Sequence, residues 1–490
     1  MKIFLNIFIF MALALNWMAA FTANKSLRIP WALIIDLLLL IVLLAINSKD
    51  VLNKIVFAVK KTPARYLCYF FSWIIFSNFV LCCTSIMNPI NAIYFATRLF
   101  LFAITFYILP LCIIYKYISM RKFIIFFFTM IFIAFLFGIF HYIGDKLNIS
   151  FMIDIVNFFS NRKADITLDM RDIISNKTRI RGFFHEGGSF ASFIFFMMPI
   201  IYSLALSKNK IYRNKYINKI IKMLSIPLMW FCLILTKSPI YLVFSLILTI
   251  VYFHHRVLKF IKKFKLQIII FFIISSSTII NLRYSNDLRG ILESSYLQRI
   301  TNTIESFGDL EQLAIKEGSL SIRITIFMTQ IELFKTKPIM GYGMYNEKYY
   351  MHEQFMQSSM PKTQELLDIL KDNSVRTKGV AGSGGTLFST LLVDTGIVGF
   401  ILYYLFLFKT VTHINFMLKY LNNIEYNFYY GIKCTIMSLI AISFYILSLE
   451  NCYITLILGL ILPCQYMFYR KMKIMEKLQD DRYINNNYKL

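Results

Sequence analysis

The sequence has few charged residues and is rich in long apolar stretches. Charged residues make up 16% of its 490 residues, against about 25% in soluble domains. Hydrophobic residues make up 58%. Apolar runs of about 17–25 residues recur along the chain, and each is long enough to cross a hydrocarbon core of ~30 Å. This composition excludes an ordinary soluble domain and predicts an all-α polytopic integral membrane protein.

Patterns that would hold a metal or a disulfide framework are lacking. The eight cysteines all fall in apolar segments, and no Cys-x-x-Cys pair or cluster of histidine and cysteine is present. We therefore expect neither a zinc site nor a set of structural disulfides. No cluster of acidic ligands suggests another metal, and no sequence feature calls for a cofactor.

Acidic residues are scarce, with 26 Asp and Glu against 52 Lys and Arg, which gives a net charge of +26. The densest basic runs, residues 208–215 and 259–265, lie in short loops between apolar runs. That distribution follows the positive-inside rule and suits contact with anionic membrane lipid. We therefore expect a membrane partner and no nucleic acid.

The apolar pattern predicts about twelve transmembrane helices. With the N-terminus inside, every strongly basic short loop falls on the cytoplasmic side. The first run resembles a signal peptide but has no clear cleavage site, so we expect a retained helix. The seventh and eighth runs are short and could form one broken hairpin. The predicted spans are residues 3–22, 29–46, 66–87, 92–115, 123–143, 187–206, 223–236, 240–253, 266–282, 385–408, 428–449 and 453–469.

Two long loops fall on the outer side, and the second is expected to contain short helices. One of these, Ser319–Lys335, has the apolar spacing of an amphipathic helix lying on the membrane surface or over a cavity. No internal repeat is visible, which argues against transporters built from repeated halves. The predicted layout is residues 1–143 with helices 1–5, a first outer loop 144–186, helices 6–9 in 187–282, a large outer loop 283–384, helices 10–12 in 385–469 and a cytoplasmic tail 470–490.

Charged residues cluster where the sixth span begins, in the stretch RIRGFFHEGGSFASF. Arg179 and Arg181 offer planar donors suited to phosphate, and Gly182 would let the backbone bend. Glu186, with His185 beside it, lies where desolvation could raise its pKa and make it a useful base. In the competing interpretation, the arginines only extend to the membrane interface and one of them pairs with Glu186.

The large outer loop carries a second candidate patch. Arg323 begins the amphipathic helix, and a turn containing Gly341 and Gly343 follows it. Arg323 could be a second phosphate contact or a solvated surface arginine. His352 could act as a base, although an isolated surface histidine is more often structural. The G-x-G pattern alone is a weak signal for a ligand site.

Two ionisable residues lie inside predicted spans. Asp394 falls two to three turns into the tenth span, and Arg98 lies within the fourth. Charges at such depth are costly and are functional hypotheses by default. Arg98 could bind a lipid phosphate or could merely neutralise Asp394.

Taken in order, these patches resemble the bacterial O-antigen polymerase and ligase superfamily. The first motif of that family, Arg-x-x-Gly-hydrophobic-x-Glu-x-Ser, is similar to the stretch that contains Gly182 and Glu186. Its Leu-Thr-x-Ser turn resembles residues 235–238. The loop motif, Arg…Phe…Pro-x-x-Gly-x-Gly, is similar to Arg323, Phe334, Pro338, Gly341 and Gly343. The closing motif, Asn-x-x-Leu…Glu-x-Gly-Ile-x-Gly, is echoed by Leu391, Asp394, Gly396, Ile397 and Gly399.

The resemblance implies a glycosyltransferase of the bacterial inner membrane whose active site faces the periplasm. Its substrate would be an undecaprenyl-diphosphate-linked glycan, and a chain-length regulator and a flippase are its implied partners. Arg181, Arg323, Arg179 and Arg98 would bind the diphosphate. Glu186, then His185 or His352, would act as the base in an inverting displacement without a metal.

Ligases of this superfamily tend to carry a histidine near the end of the large loop, but residues 379–386 contain none. This difference favours a polymerase that joins repeat units. The alternatives are a ligase that transfers finished polymer to lipid A core and a flippase for lipid-linked oligosaccharides. A flippase is expected to have short loops at both faces.

Overall fold

The computed structural model describes most of the apolar core and part of the large loop. The described residues are 31–114, 116–160, 180–184, 187–254, 318–344, 346–358, 386–444, 457–470 and 472. The predicted spans 3–22 and 266–282 lie outside these ranges.

Within the described residues the chain is helical and contains no strand, which confirms the all-α prediction. Six described helices are long and apolar enough to cross a membrane, and they correspond to six of the predicted spans. The total of twelve stays a prediction. The helices are α1 (Trp31–Lys61), α2 (Ala64–Cys83), α3 (Pro89–Ala103), α4 (Leu109–Ile113), α5 (Met120–Lys146), α6 (Ser150–Ser160), α7 (Gly187–Ala205), α8 (Lys215–Leu235), α9 (Pro239–Tyr252), α10 (Gly318–Thr336), α11 (Lys348–Gln357), α12 (Leu387–Leu418) and α13 (Asn423–Ala441).

Several helices are longer or less regular than the apolar runs suggest. A π-helical turn at Ile104–Ile108 joins α3 to α4, so these three pieces make one span. Helix α1 changes direction at Asn47, where the predicted span ends, and then continues to Lys61 through a segment predicted as a loop. Residues 457–459 and 461–470 are also helical.

Helix α7 lies at the centre of the bundle, with nearly all of its side chains buried. It packs closely against α13, where a Cβ on Gly431 would lie only 2.6 Å from the Cα of Ile200. The Thr435 hydroxyl also donates to the Phe196 carbonyl over 2.8 Å. Because higher numbers on α13 meet lower numbers on α7, the two helices are antiparallel.

The same reasoning identifies which helix termini share one end of the bundle. Phe388 N, near the start of α12, donates to the carbonyl of Ser443, just beyond α13. Cys232 on α8 donates to the Phe135 carbonyl on α5 over 3.4 Å. We call this end the site end; it holds the C-termini of α2, α5, α8 and α13 and the N-termini of α7 and α12.

Basic side chains collect at the opposite end. Asp50 lies 2.7 Å from the Lys116 ammonium and 3.3 Å from that of Lys54. Partial burial raises the pKa of Asp50, but the hydrogen bond to Lys116 and the charge of Lys54 outweigh it, so the pKa lies below its ordinary value. Further basic residues here are Lys60, Lys61, Arg65, Arg121, Lys122, Lys208, Lys210, Arg213, Lys215 and Lys219.

Candidate functional site

Arg181 is held in a fixed position at the site end. Its side chain is 8% exposed, and its Nη2 donates to Asn157 Oδ1 on α6. Its backbone N–H donates to His141 Nδ1 on α5 over 3.0 Å. Gly182, which follows it, has a φ of +55° and begins a turn that Phe184 N closes on the Arg181 carbonyl over 2.9 Å. Helix α6 therefore orients the guanidinium, and α5 holds the backbone of the same residue.

The Leu235–Ser238 turn lies beside this arginine. Ile180 N donates to the Leu235 carbonyl over 3.3 Å. The residue before Arg181 therefore supplies a hydrogen-bond donor to the last carbonyl of α8. Within the turn, Thr236 is fully buried and donates to the Leu233 carbonyl over 2.7 Å. Lys237 has a φ of +50°, an uncommon conformation for a lysine. Two motifs that are far apart in sequence thus meet at one place.

Helix α12 is broken at Gly396, and the large loop fills the break. Gly396 has φ 66° and ψ −175°, a conformation that only glycine adopts readily. Tyr342 N donates to the Val393 carbonyl over 2.7 Å, and Gly343 N donates to the Asp394 carbonyl over 3.0 Å. A Cβ on Gly396 would collide with the Ile339 carbonyl.

Two further backbone groups at the break also form hydrogen bonds. Ile397 N donates to the Pro338 carbonyl over 2.8 Å, and Trp73 Nε1 donates to the Thr395 carbonyl over 2.8 Å. Trp73 is the tenth of the twenty residues of α2. The break therefore lies near the middle of that span, where a backbone group left without a partner would cost several kcal/mol.

Helix α10, predicted as Ser319–Lys335 on the membrane surface or over a cavity, packs along α12. Gln330 is fully buried; it accepts from Ser389 Oγ over 2.6 Å and donates to Thr390 Oγ1 over 3.3 Å. Because Gln330 meets Ser389 and the Pro338 carbonyl meets Ile397, the two helices run in the same direction. The large loop therefore descends from the site end into the bundle.

Arg323 lies on α10, two turns before Gln330, and is half-buried. That places it near the level at which α12 begins, at the site end. Asp394 lies in the break and is fully buried, and its backbone carbonyl accepts the hydrogen bond from Gly343 N of the docked turn. Gly341 and Gly343 have φ values of +71° and +90° and form the turn that enters the break.

The other predicted site residues lie apart or outside the described residues. His352 is half-buried on α11, which follows the docked turn. Arg98 lies on α3, but its side chain is outside the described part. Arg179, His185 and Glu186 are also outside it, so the base predicted first stays a prediction.

Several residues that shape the site were missed from the sequence. His141 and Asn157 orient Arg181, Trp73 completes the break, and the Asn346 amide donates to the carbonyls of Tyr342 and Ile86. For His141 a signal was available, since a histidine within an apolar span is rare. Nothing in the sequence links Trp73 to a residue more than three hundred positions away.

The fold defines a class of protein: a helical membrane bundle in which one helix is broken and a loop docks into the break. Residues 224–404 match the protein family described as O-antigen ligase. The match runs from α8 to the second half of α12 and includes Arg323, the docked turn and Asp394. It confirms the resemblance to the O-antigen polymerase and ligase superfamily. No curated protein matches the chain in sequence.

Proposed function

We propose that the protein polymerises undecaprenyl-diphosphate-linked repeat units into a surface polysaccharide such as O-antigen. The family match over residues 224–404 is the observation that carries this proposal. It is supported by the geometry, because Arg181 and the docked loop with Arg323 lie at the same end of the bundle.

The chemistry follows from the donor. Breaking the bond between the anomeric carbon and the diphosphate builds negative charge on the leaving group. Arg181, already oriented by Asn157, is suited to stabilise that charge without reorganisation in a site where water is scarce. Arg323 is the second proposed contact. A carboxylate near the anomeric carbon, Glu186 in our proposal, takes the proton of the acceptor hydroxyl, which then displaces undecaprenyl diphosphate with inversion.

The proposed orientation places the site end in the periplasm of a Gram-negative bacterium. Basic residues gather at the opposite end, around Lys54, Lys116 and Asp50. By the positive-inside rule that end faces the cytoplasm. The donor glycan would then reach the site from the periplasmic leaflet after a flippase has moved it.

Ligation of finished polymer to lipid A core is the second candidate, and the description of the matching family favours it. The absence of histidine from residues 379–386 favours the polymerase. His352 is the described histidine on the large loop, and it lies well before that segment.

A gene deletion analysed on a lipopolysaccharide gel separates the candidates. The proposal predicts cores that carry a single repeat unit. Bare cores with accumulated lipid-linked polymer would identify a ligase instead. Bare cores with single units retained on the cytoplasmic side would identify a flippase.

A further inference from the structure

The docked turn places a lysine on the outer surface of the bundle. Lys337 follows α10 directly, and its carbonyl accepts from Gly341 N over 3.0 Å. The next two residues, Pro338 and Ile339, are exposed, Ile339 by 61%. The Pro338 carbonyl is bonded to Ile397 N, so Lys337 lies close to the level of the break in α12.

The surface around this turn is apolar and faces the lipid. Exposed apolar side chains lie on α2 and α12 within about two turns of the residues that bond at the break, among them Phe76, Ile397 and Ile401. Trp73, which bonds to the break, lies at the middle of the α2 span. The backbone of Lys337 therefore lies within the membrane, in a belt of side chains that contact acyl chains.

The ammonium of Lys337 is held toward the site end by two aromatic rings. Nζ lies 4.6 Å from the ring centre of Tyr342 and 5.8 Å from that of Tyr350. The Tyr350 hydroxyl donates to the Ile86 carbonyl, just beyond the C-terminus of α2, over 2.6 Å. The lysine thus extends from the depth of the break toward the membrane boundary.

Among the described residues no carboxylate pairs with this ammonium. A cation within the membrane is costly, and such residues generally serve a ligand or a partner charge. Ring faces attract the cation but leave its N–H donors available. An anion at the level of the lipid headgroups, approached from the membrane, fits this arrangement.

We propose that Lys337 binds the diphosphate of the polyprenyl lipid as it enters from the membrane. The site lies on the lipid-facing side of the docked turn and is distinct from the arginines, which act at the bond that breaks. This inference rests on the proposed function for the identity of the lipid. An ordinary phospholipid offers a similar phosphate, so the experiment must separate the two sources.

The test measures lipid binding to the purified full-length protein by native mass spectrometry. The probes are undecaprenyl diphosphate without glycan and phosphatidylglycerol. Lys337→Gln removes the charge, Lys337→Arg keeps a cation, and Lys335→Gln is the matched control. Lys335 is exposed, lies two residues away, and its substitution changes the net charge equally. Lys337→Met, which keeps the apolar stem against the rings, replaces Lys337→Gln if that variant does not accumulate.

We expect Lys337→Gln to weaken undecaprenyl diphosphate binding about tenfold, which corresponds to the usual contribution of one hydrogen bond to a charged group. Lys337→Arg and Lys335→Gln should stay within about threefold of the unsubstituted protein. An equal loss for phosphatidylglycerol would overturn the assignment in favour of a structural lipid, and unchanged binding of both lipids would remove the site. Because no glycan is transferred in this assay, its result does not depend on whether the protein is a polymerase.

Discussion

The docking of the large loop into α12 should depend on Gly396. Its φ and ψ values lie in a region that costs other residues about 1–3 kcal/mol, and a Cβ there would collide with the Ile339 carbonyl. Gly396→Ala should therefore expel the turn and break the three backbone hydrogen bonds that hold it. These three bonds contribute about 3 kcal/mol at about 1 kcal/mol each, and together with the backbone strain of about 1–3 kcal/mol the total loss is about 4–6 kcal/mol. That lowers the ratio of docked to undocked loop by about 10³–10⁴-fold.

Thiol labelling measures this ratio. Met344 follows the turn and is 1% exposed, so Met344→Cys introduces a thiol that a water-soluble maleimide reaches only when the loop leaves the break. Adding Gly396→Ala should raise the labelling rate at position 344 at least a hundredfold, as read by mass spectrometry of that peptide. Gly188→Ala is the control, because a Cβ there meets no atom within 4 Å. A rise below about threefold, relative to that control, would refute the docking argument.

Three further predictions concern the site and the two ends of the bundle. Arg181→Ala and Arg323→Ala should each abolish polymer extension while the protein still inserts; normal polymer length on a lipopolysaccharide gel would remove that arginine from the site. Gln330→Leu should destabilise the protein by about 1–3 kcal/mol, because it removes two buried hydrogen bonds; an unchanged thermal unfolding temperature in detergent would contradict this. The lowered pKa of Asp50 makes its stabilising effect present above about pH 4 and lost as the pH falls through the folded-state value. Asp50→Asn should therefore be less stable than the unsubstituted protein at pH 7, and the difference should shrink as the pH falls below about 4.

The transmembrane helices were predictable because the bilayer demands long apolar runs. The extensions were not. Helix α1 continues to Lys61 through polar residues that the apolar pattern does not register. Helix α10 was predicted from its apolar spacing to lie on the membrane surface or over a cavity, and its polar residues Thr325, Thr329 and Gln330 are buried in the bundle. Its partners on α12 lie some sixty residues away, and no local pattern can supply them.

The candidate site was predictable as a set of motifs but not as a geometry. Gly341, Gly343 and Gly396 are recognisable in the sequence. The packing of the loop glycines against the broken helix, however, joins segments about fifty residues apart, and no local pattern predicts it. Arg181 stood out as a charged residue beside a membrane span. His141 was noticeable as a histidine within an apolar span, but no local pattern could link it or Asn157 to Arg181, since both lie on other helices. The sequence did not predict a role for Lys337, because lysines are common at the ends of helices.

Reconstitution tests the central claim most directly. The purified protein is placed in liposomes with undecaprenyl-diphosphate-linked repeat units and no other acceptor. The account predicts a ladder of lipid-linked polymers, with undecaprenyl diphosphate released at each step. An absence of any ladder, together with transfer of the glycan once lipid A core is added, would contradict it.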